Sequence, residues 1–142
     1  MIEEVPLDDI IDLRCRVLRP GLPRDSARFV EDRRPGSFHL AYRDDAGGVV
    51  SCVTFVPEDL DGMPAWRFRG MATDEARRGE GLGSQVLKAG LVTVAARGGG
   101  LVWCNARVSA LDFYRRHGFT ERGDVFDIPG IGPHVILTRH VD

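Results

Sequence analysis

The sequence predicts an α+β fold built around an antiparallel meander, and three observations carry that expectation. Three strand-like runs, 37–43, 49–56 and 65–73, follow one another with only turns or loops between them. Helical periodicity is confined to the first 32 residues, to the stretch after Gly81 and to a short segment around residue 112. A final pair of strand-like runs, 119–128 and 133–141, is joined by the turn "PGIG".

Taken in order, "IEEV" is a candidate first edge strand. From Leu7 to Leu18 apolar residues recur near helical spacing, with Asp8 and Asp9 early and Arg14, Arg16 and Arg19 late, as the helix dipole prefers; "RPGLP" ends that helix. A second, weaker helix is predicted over Asp25 to Asp32, stopped by "RRPG". "SFHLAYR" alternates like a strand, "DDAGG" reads as a hairpin turn, and "VVSCVTFV" is rich in β-branched residues. The loop "PEDLDGMP" leads into the strand "AWRFRGMAT". The helix after Gly81 puts Leu82, Val86, Leu87, Leu91 and Val94 on one face and stops at "RGGG". "LVWCNAR" is the next strand, and "VSALDFYRRHG" a short helix ended by Gly118. The order ααβββαβαββ, beyond the edge strand, is interrupted by no repeat, low-complexity tract or linker, and 142 residues with 43% hydrophobic content suit one domain spanning 1–142.

Composition narrows the function. A formal charge of −2 argues against a chain held to nucleic acid by bulk electrostatics, so any anion binding must come from local arginine clusters. Cys15, Cys52 and Cys104 are odd in number, form no C-x-x-C pair and sit in apolar runs, which points to reduced thiols in the cytoplasm rather than disulfides or a metal site. The N-terminus is acidic where a signal peptide needs base, and no apolar run approaches the roughly 18 residues of a membrane span. A soluble, cytoplasmic protein without membrane partner is expected.

The most informative stretch is "RRGEGLGSQVL", where a strand turns into a helix. Backbone N–H groups at such a junction lie unpaired at the positive end of the helix dipole, which suits phosphate. Bare positions at Gly79, Gly81 and Gly83 admit a pyrophosphate closely, with Arg77 and Arg78 at the rim. A P-loop would need G-x-x-x-x-G-K-[ST], which is absent, and a dinucleotide fold would put its glycines after the first strand of a parallel βαβ unit.

On these residues the chain resembles the GNAT superfamily of N-acetyltransferases, whose acetyl-CoA signature is [QR]-x-x-G-x-[GA] after the fourth strand: Arg78, Gly81 and Gly83 match it. "ALDFYRRHGF" is similar to the family's later A-x-x-x-Y-x-x-x-G-F segment, and the element order agrees over essentially the whole chain. "LRCRVLRPG", "RGEGLG" and "GPHVILTR" resemble the ElaA-like branch. The resemblance implies a three-layer α/β arrangement, a mixed, mostly antiparallel sheet flanked by helices on both faces. It also implies acetyl-CoA as the acetyl donor, an amine acceptor, and edge strands that pair two copies in some members.

By the same resemblance the pantetheine arm lies along Met71, Ala72 and Thr73, the diphosphate over Arg77, Arg78, Gly79, Gly81, Leu82, Gly83 and Ser84, and Tyr114 is the general acid on the departing sulfur. The oxyanion is assigned to a backbone N–H near Met71 or Ala72. Where many members carry a cofactor-contacting Asn, this chain has Arg107, with Asn105 two residues earlier on the same strand face. A lysine acceptor is neutral roughly once in 2,500 molecules at pH 7 and an α-amine about once in ten, so the need for a base depends on the acceptor. Glu58, Asp59, His134 and water are the candidates. Arg67 and Arg69 share one strand face, as readers of an acidic acceptor or as ordinary ion-paired residues. The alternative to an enzyme is a noncatalytic acyl-CoA-binding sensor.

Overall fold

The strand-forming runs close into one sheet. In the computed structural model, which describes residues 1–142, its strands are β1 (Ile2–Val5), β2 (Phe38–Arg43), β3 (Val49–Pro57), β4 (Ala65–Thr73), β5 (Gly100–Arg107), β6 (Thr120–Ile128) and β7 (Gly132–Val141). Their spatial order is β1-β2-β3-β4-β5-β7-β6, antiparallel except for the parallel pair β4–β5. Helices α1 (Asp8–Leu18) and α2 (Leu82–Ala96) cover opposite faces, and α3 (Leu111–Arg115) follows a 3₁₀ turn at Val108–Ala110. The apolar stripe of α2, Val86, Leu87, Leu91 and Val94, packs on Phe38, Leu40, Val53, Phe55 and Phe68. On the other face Ile10 and Leu13 of α1 pack on Ala41, Cys52 and Ala72. The expected edge strand "IEEV" is β1, and the "DDAGG" turn is closed by Asp44, whose carboxylate accepts the amides of Ala46 and Gly48. No helix is long and apolar enough to cross a membrane.

Two irregularities in β4 shape everything nearby. The first is a β-bulge: Thr54 pairs with Arg69 and Cys52 with Ala72, so Gly70 and Met71 together face Val53. One extra residue reverses the in–out alternation. Phe68 therefore points to the α2 face, whereas Ala72, four residues on, points to α1. The second is divergence: β4 pairs with β5 only over Ala65–Arg67 and Leu101–Trp103, after which the two strands part. The gap leaves the C-terminal halves of both strands without each other as partners.

Arg14 braces the bulge. Its side chain is fully buried, held by Asp32 through Nη1 at 2.7 Å and Nη2 at 3.1 Å, and it also donates to Thr54 Oγ1 (2.6 Å) and to the Ala27 carbonyl (2.8 Å). Gly70 has φ +65, and a Cβ there would stand 2.8 Å from Arg14 Nε, so only glycine fits. The helix expected over Asp25 to Asp32 is instead two separate 3₁₀ turns, Arg24–Ala27 and Val30–Arg33. The reason is chemical: Arg14 occupies the Ala27 carbonyl that a continuing helix would use, and the Asp32 carboxylate accepts the Phe29 amide at 2.7 Å. Arg14 thus belongs to the core rather than to the dipole-complementing surface of α1.

Removing one member of a buried pair strands the other's charge, which costs about 3–5 kcal/mol. Arg14→Met should destabilise the protein by about that much in urea unfolding. A loss below about 1 kcal/mol would mean that Asp32 is solvated or re-paired and that the brace is not structural.

Candidate functional site

The glycine stretch forms the wall of a cleft. After β4 a 3₁₀ turn, Glu75–Arg77, is capped by the Asp74 carboxylate accepting the Ala76 amide at 3.0 Å. Gly79 and Gly81 then take left-handed φ values of +85 and +78, which bend the chain so that α2 starts at Leu82. The amides from Gly79 through Ser84 meet no acceptor within the chain. Gly83 is different, because its φ is ordinary and a Cβ would make only van der Waals contacts, 3.6 Å to Thr73 Oγ1 and 4.0 Å to Phe113 Cζ. The fold does not require glycine there; the extra atom would fill the cleft. This cleft, ≈ 710 Å³, is lined by Met71, Ala72, Thr73, Arg77, Arg78, Gly79, Gly81, Leu82, Gly83, Ser84 and Tyr114, every one of them read as a contact residue from the sequence.

The charged and hydroxyl groups around it are unequal. Arg77 is held by Glu80, with Nε at 2.8 Å from Oε2, and the carboxylate pushes the guanidinium's pKa up. Arg78 forms no side-chain hydrogen bond or ion pair with the rest of the chain and is exposed. Ser84 Oγ lies 2.7 Å from His117 Nε2. Burial, then Lys88, Arg139 and Arg116, push the His117 pKa down.

A second, smaller cleft, ≈ 300 Å³, opens where β4 and β5 part. The two clefts share Leu18, Met71, Ala110 and Tyr114. Tyr114 sits in an aromatic throat, its ring 5.0 Å from Phe113, 5.8 Å from Phe68 and 6.3 Å from Phe119. Burial, with a smaller effect of Cys104, pushes its pKa up, so the phenol keeps its proton at any ordinary pH. Cys104 lines the second cleft with its thiol pushed up to about 12 by burial, and Cys52 is pushed up to about 11. Neither is a thiolate nucleophile at neutral pH.

Among the base candidates, Glu58 is ion-paired to Arg34 (2.9 Å) and Arg67 (3.2 Å), and neither it nor exposed Asp59 lines a cleft. His134 lines the second cleft and is 6% exposed. Its Nδ1 lies 2.9 Å from the Gly132 carbonyl, which only accepts, so Nδ1 is the donor there and Nε2 is the ring nitrogen left for another partner. Asn105 and Arg107, expected as cofactor contacts, line this second cleft and not the glycine-loop cleft. Arg67 and Arg69 line it too, backed by Glu58 and Glu31, with Arg69 Nη1 at 3.0 Å from Glu31.

Sequence reasoning missed several parts. Arg14 falls on the same helical stripe as Ile10, Ile11 and Leu18, and that position was the one available sign of its burial. Phe29, whose ring carries the Arg69 guanidinium at 4.0 Å, lay in the segment misread as a helix. Phe113 and Arg116 line the larger cleft beside Tyr114.

Similarity to known proteins adds the family. The acetyltransferase (GNAT) domain profile matches residues 34–121. The chain is 37% identical over 141 residues to the uncharacterized N-acetyltransferase YitI of Bacillus subtilis, covering 97% of this chain and 94% of that one. Its fold superposes on the GNAT family N-acetyltransferase YhbS of Escherichia coli in complex with CoA, with TM-score 0.77 and 26% identity, over 100% of this chain and 81% of the other. Escherichia coli ElaA gives TM-score 0.80 at 22% identity, covering 98% and 99%.

Proposed function

The chain belongs to the GNAT family of acetyltransferases, and on that premise we propose that it transfers the acetyl group of acetyl-CoA to a primary amine of a small molecule or peptide, by direct attack in a ternary complex. One observation carries the reading: two clefts, one edged by free amides and one by side chains, meet at Tyr114 and Met71. Acetyl-CoA, when bound, supplies an activated thioester carbonyl. The residues fit its diphosphate, because Gly79, Gly81, Leu82, Gly83 and Ser84, whose amides are unpaired, and unpartnered Arg78 line the first cleft and Gly83 leaves room there.

Each remaining role falls to a group of this chain. The bulged residue Met71 has no partner in the β3 register, and its amide is assigned to the developing oxyanion, a type of contact worth on the order of 2.7–4 kcal/mol. His134 Nε2, on the acceptor side, takes the amine's proton. Tyr114 donates to the departing sulfur; the burial that weakens the phenol as an acid also makes a thiolate more basic, so the transfer stays feasible. With Cys52 and Cys104 held as thiols, attack by the amine is direct rather than through an acylated cysteine.

Release of free thiol from acetyl-CoA, measured against a panel of amines, peptides and polyamines, tests the reaction; binding without release for every acceptor would indicate a sensor. Tyr114→Phe should lower turnover about 10²-fold with acetyl-CoA affinity unchanged. His134→Gln should lower it similarly at pH 7, the deficit shrinking as rising pH deprotonates the amine without help; a pH-independent deficit would assign His134 a structural role. Gly83→Ala should raise helix stability by up to about 1 kcal/mol. The same substitution should weaken CoA binding about tenfold by calorimetry, about 1.4 kcal/mol. Equal affinity would remove the diphosphate from that wall.

A further inference from the structure

The second cleft has an unusual charge balance. Arg19, Arg67, Arg69 and Arg107 line it, and no aspartate, glutamate or lysine does. Two carboxylates, Glu31 and Glu58, stand behind Arg67 and Arg69, and Glu58 is shared with Arg34. The cations therefore outnumber the anions that serve them. Nε of both Arg67 and Arg69 is buried without an acceptor. Arg107 forms no ion pair or side-chain hydrogen bond with the chain, and Arg19 makes one weak contact, 3.4 Å to the neighbouring Leu18 carbonyl. An aromatic ring gathers cations here as well, with the guanidinium carbons of Arg19 and Arg69 at 5.6 and 4.0 Å from the Phe29 centroid and that of Arg14, which is paired with Asp32 behind the cleft, at 4.2 Å. Burial, then Arg67, push the Arg69 pKa down, with Glu31 and Asp32 opposing.

From this balance, and resting on the acetyltransferase reading of the site, we infer that the acceptor is a primary amine carrying a carboxylate, an amino acid or short peptide with a free acid group. The carboxylate would pair with Arg107 and Arg19, the two guanidiniums lacking a carboxylate, while the amine of the same short molecule faces Tyr114 and His134, which stands directly opposite Arg107 in the β5–β7 register. Phe29, Phe68, Ile128 and Ile131 supply apolar wall for the acceptor's carbon skeleton, and ≈ 300 Å³ suits a molecule of one or two residues. A polyamine or aminoglycoside would bring further positive charge to a wall that has no carboxylate to receive it.

Matched acceptors test the inference in the thiol-release assay. Phenylalanine and phenylalaninamide differ little except in the carboxylate, and the amide's less basic amine is more often neutral, which works against the expected result. The acid should be preferred at least about tenfold in kcat/KM, through KM, with spermidine the poorest acceptor and glucosamine 6-phosphate well below phenylalanine. Arg107→Gln should collapse the acid-to-amide ratio towards one. Equal or better use of the amide, or preference for spermidine, overturns the carboxylate assignment while leaving the acetyltransferase intact. Preference for the phosphorylated sugar overturns it in favour of a phosphate-bearing amine. No release with any acceptor overturns the reading of the site and this assignment with it.

Discussion

Strand β4 has to satisfy two neighbours that make incompatible demands, and the Gly70–Met71 bulge is how it does so. It stays on β3 to its end at Thr73, yet it leaves β5 after Arg67. Without the extra residue, Ala72 would share a face with Phe68, and Met71 and Thr73 would point towards α1. With it, Thr73 Oγ1 and Met71 Sδ come within 4 Å of where a Gly83 side chain would begin, on the α2 side. Arg67 and Arg69, before the bulge, keep the opposite face and meet Glu31 and Glu58. One inserted residue thus gives a single strand a cationic half for one cleft and an apolar, amide-bearing half for the other.

That geometry also explains why so costly a group as Arg14 is buried. A bulge built on a left-handed Gly70 leaves a void on the α1 side, and the guanidinium fills it while donating to Asp32, Thr54 and Ala27 from three different elements. An apolar residue of similar volume would pack, but it would hold none of them in register. The 3₁₀ turns that carry Phe29 and Glu31 are placed by the same contacts, so the positions of Arg69 and of the cleft's aromatic wall depend on Arg14 although it touches neither cleft.

Legibility in the sequence follows the range of the interactions involved. Strands and the long helix were readable because alternation and 3.6-residue spacing are local, and the glycine loop because a strand-to-helix junction with Arg78, Gly81 and Gly83 is a contiguous pattern. Every residue expected beside that loop lines one cleft. The helix expected over Asp25 to Asp32 failed because its carbonyl at Ala27 is taken by a residue 13 positions away, which no window on the segment registers. The bulge was invisible for a related reason: "RFRGMAT" alternates acceptably, and only pairing with β3 reveals the slip at Gly70. Arg107 and Asn105 share a strand face and were expected as cofactor contacts, but the second cleft that they line was not legible, because the divergence of β4 from β5 that opens it has no local signature.

The two clefts are alike in one respect that bears on chemistry. Each is lined by cationic or amide groups, and they meet at Leu18, Met71, Ala110 and Tyr114, with the rings of Phe68 and Phe113 on either side of Tyr114. Charged side chains line both clefts, and none is among the residues the two share. Substrates that carry anionic groups away from their reacting atoms would be anchored in the polar ends, with only the neutral amine and the thioester in the throat. An apolar junction disfavours an ammonium ion, so in the proposed mechanism desolvation and His134 would act in the same direction on the amine, and the phenol of Tyr114, kept neutral by the same surroundings, would hold its proton until the sulfur begins to carry charge.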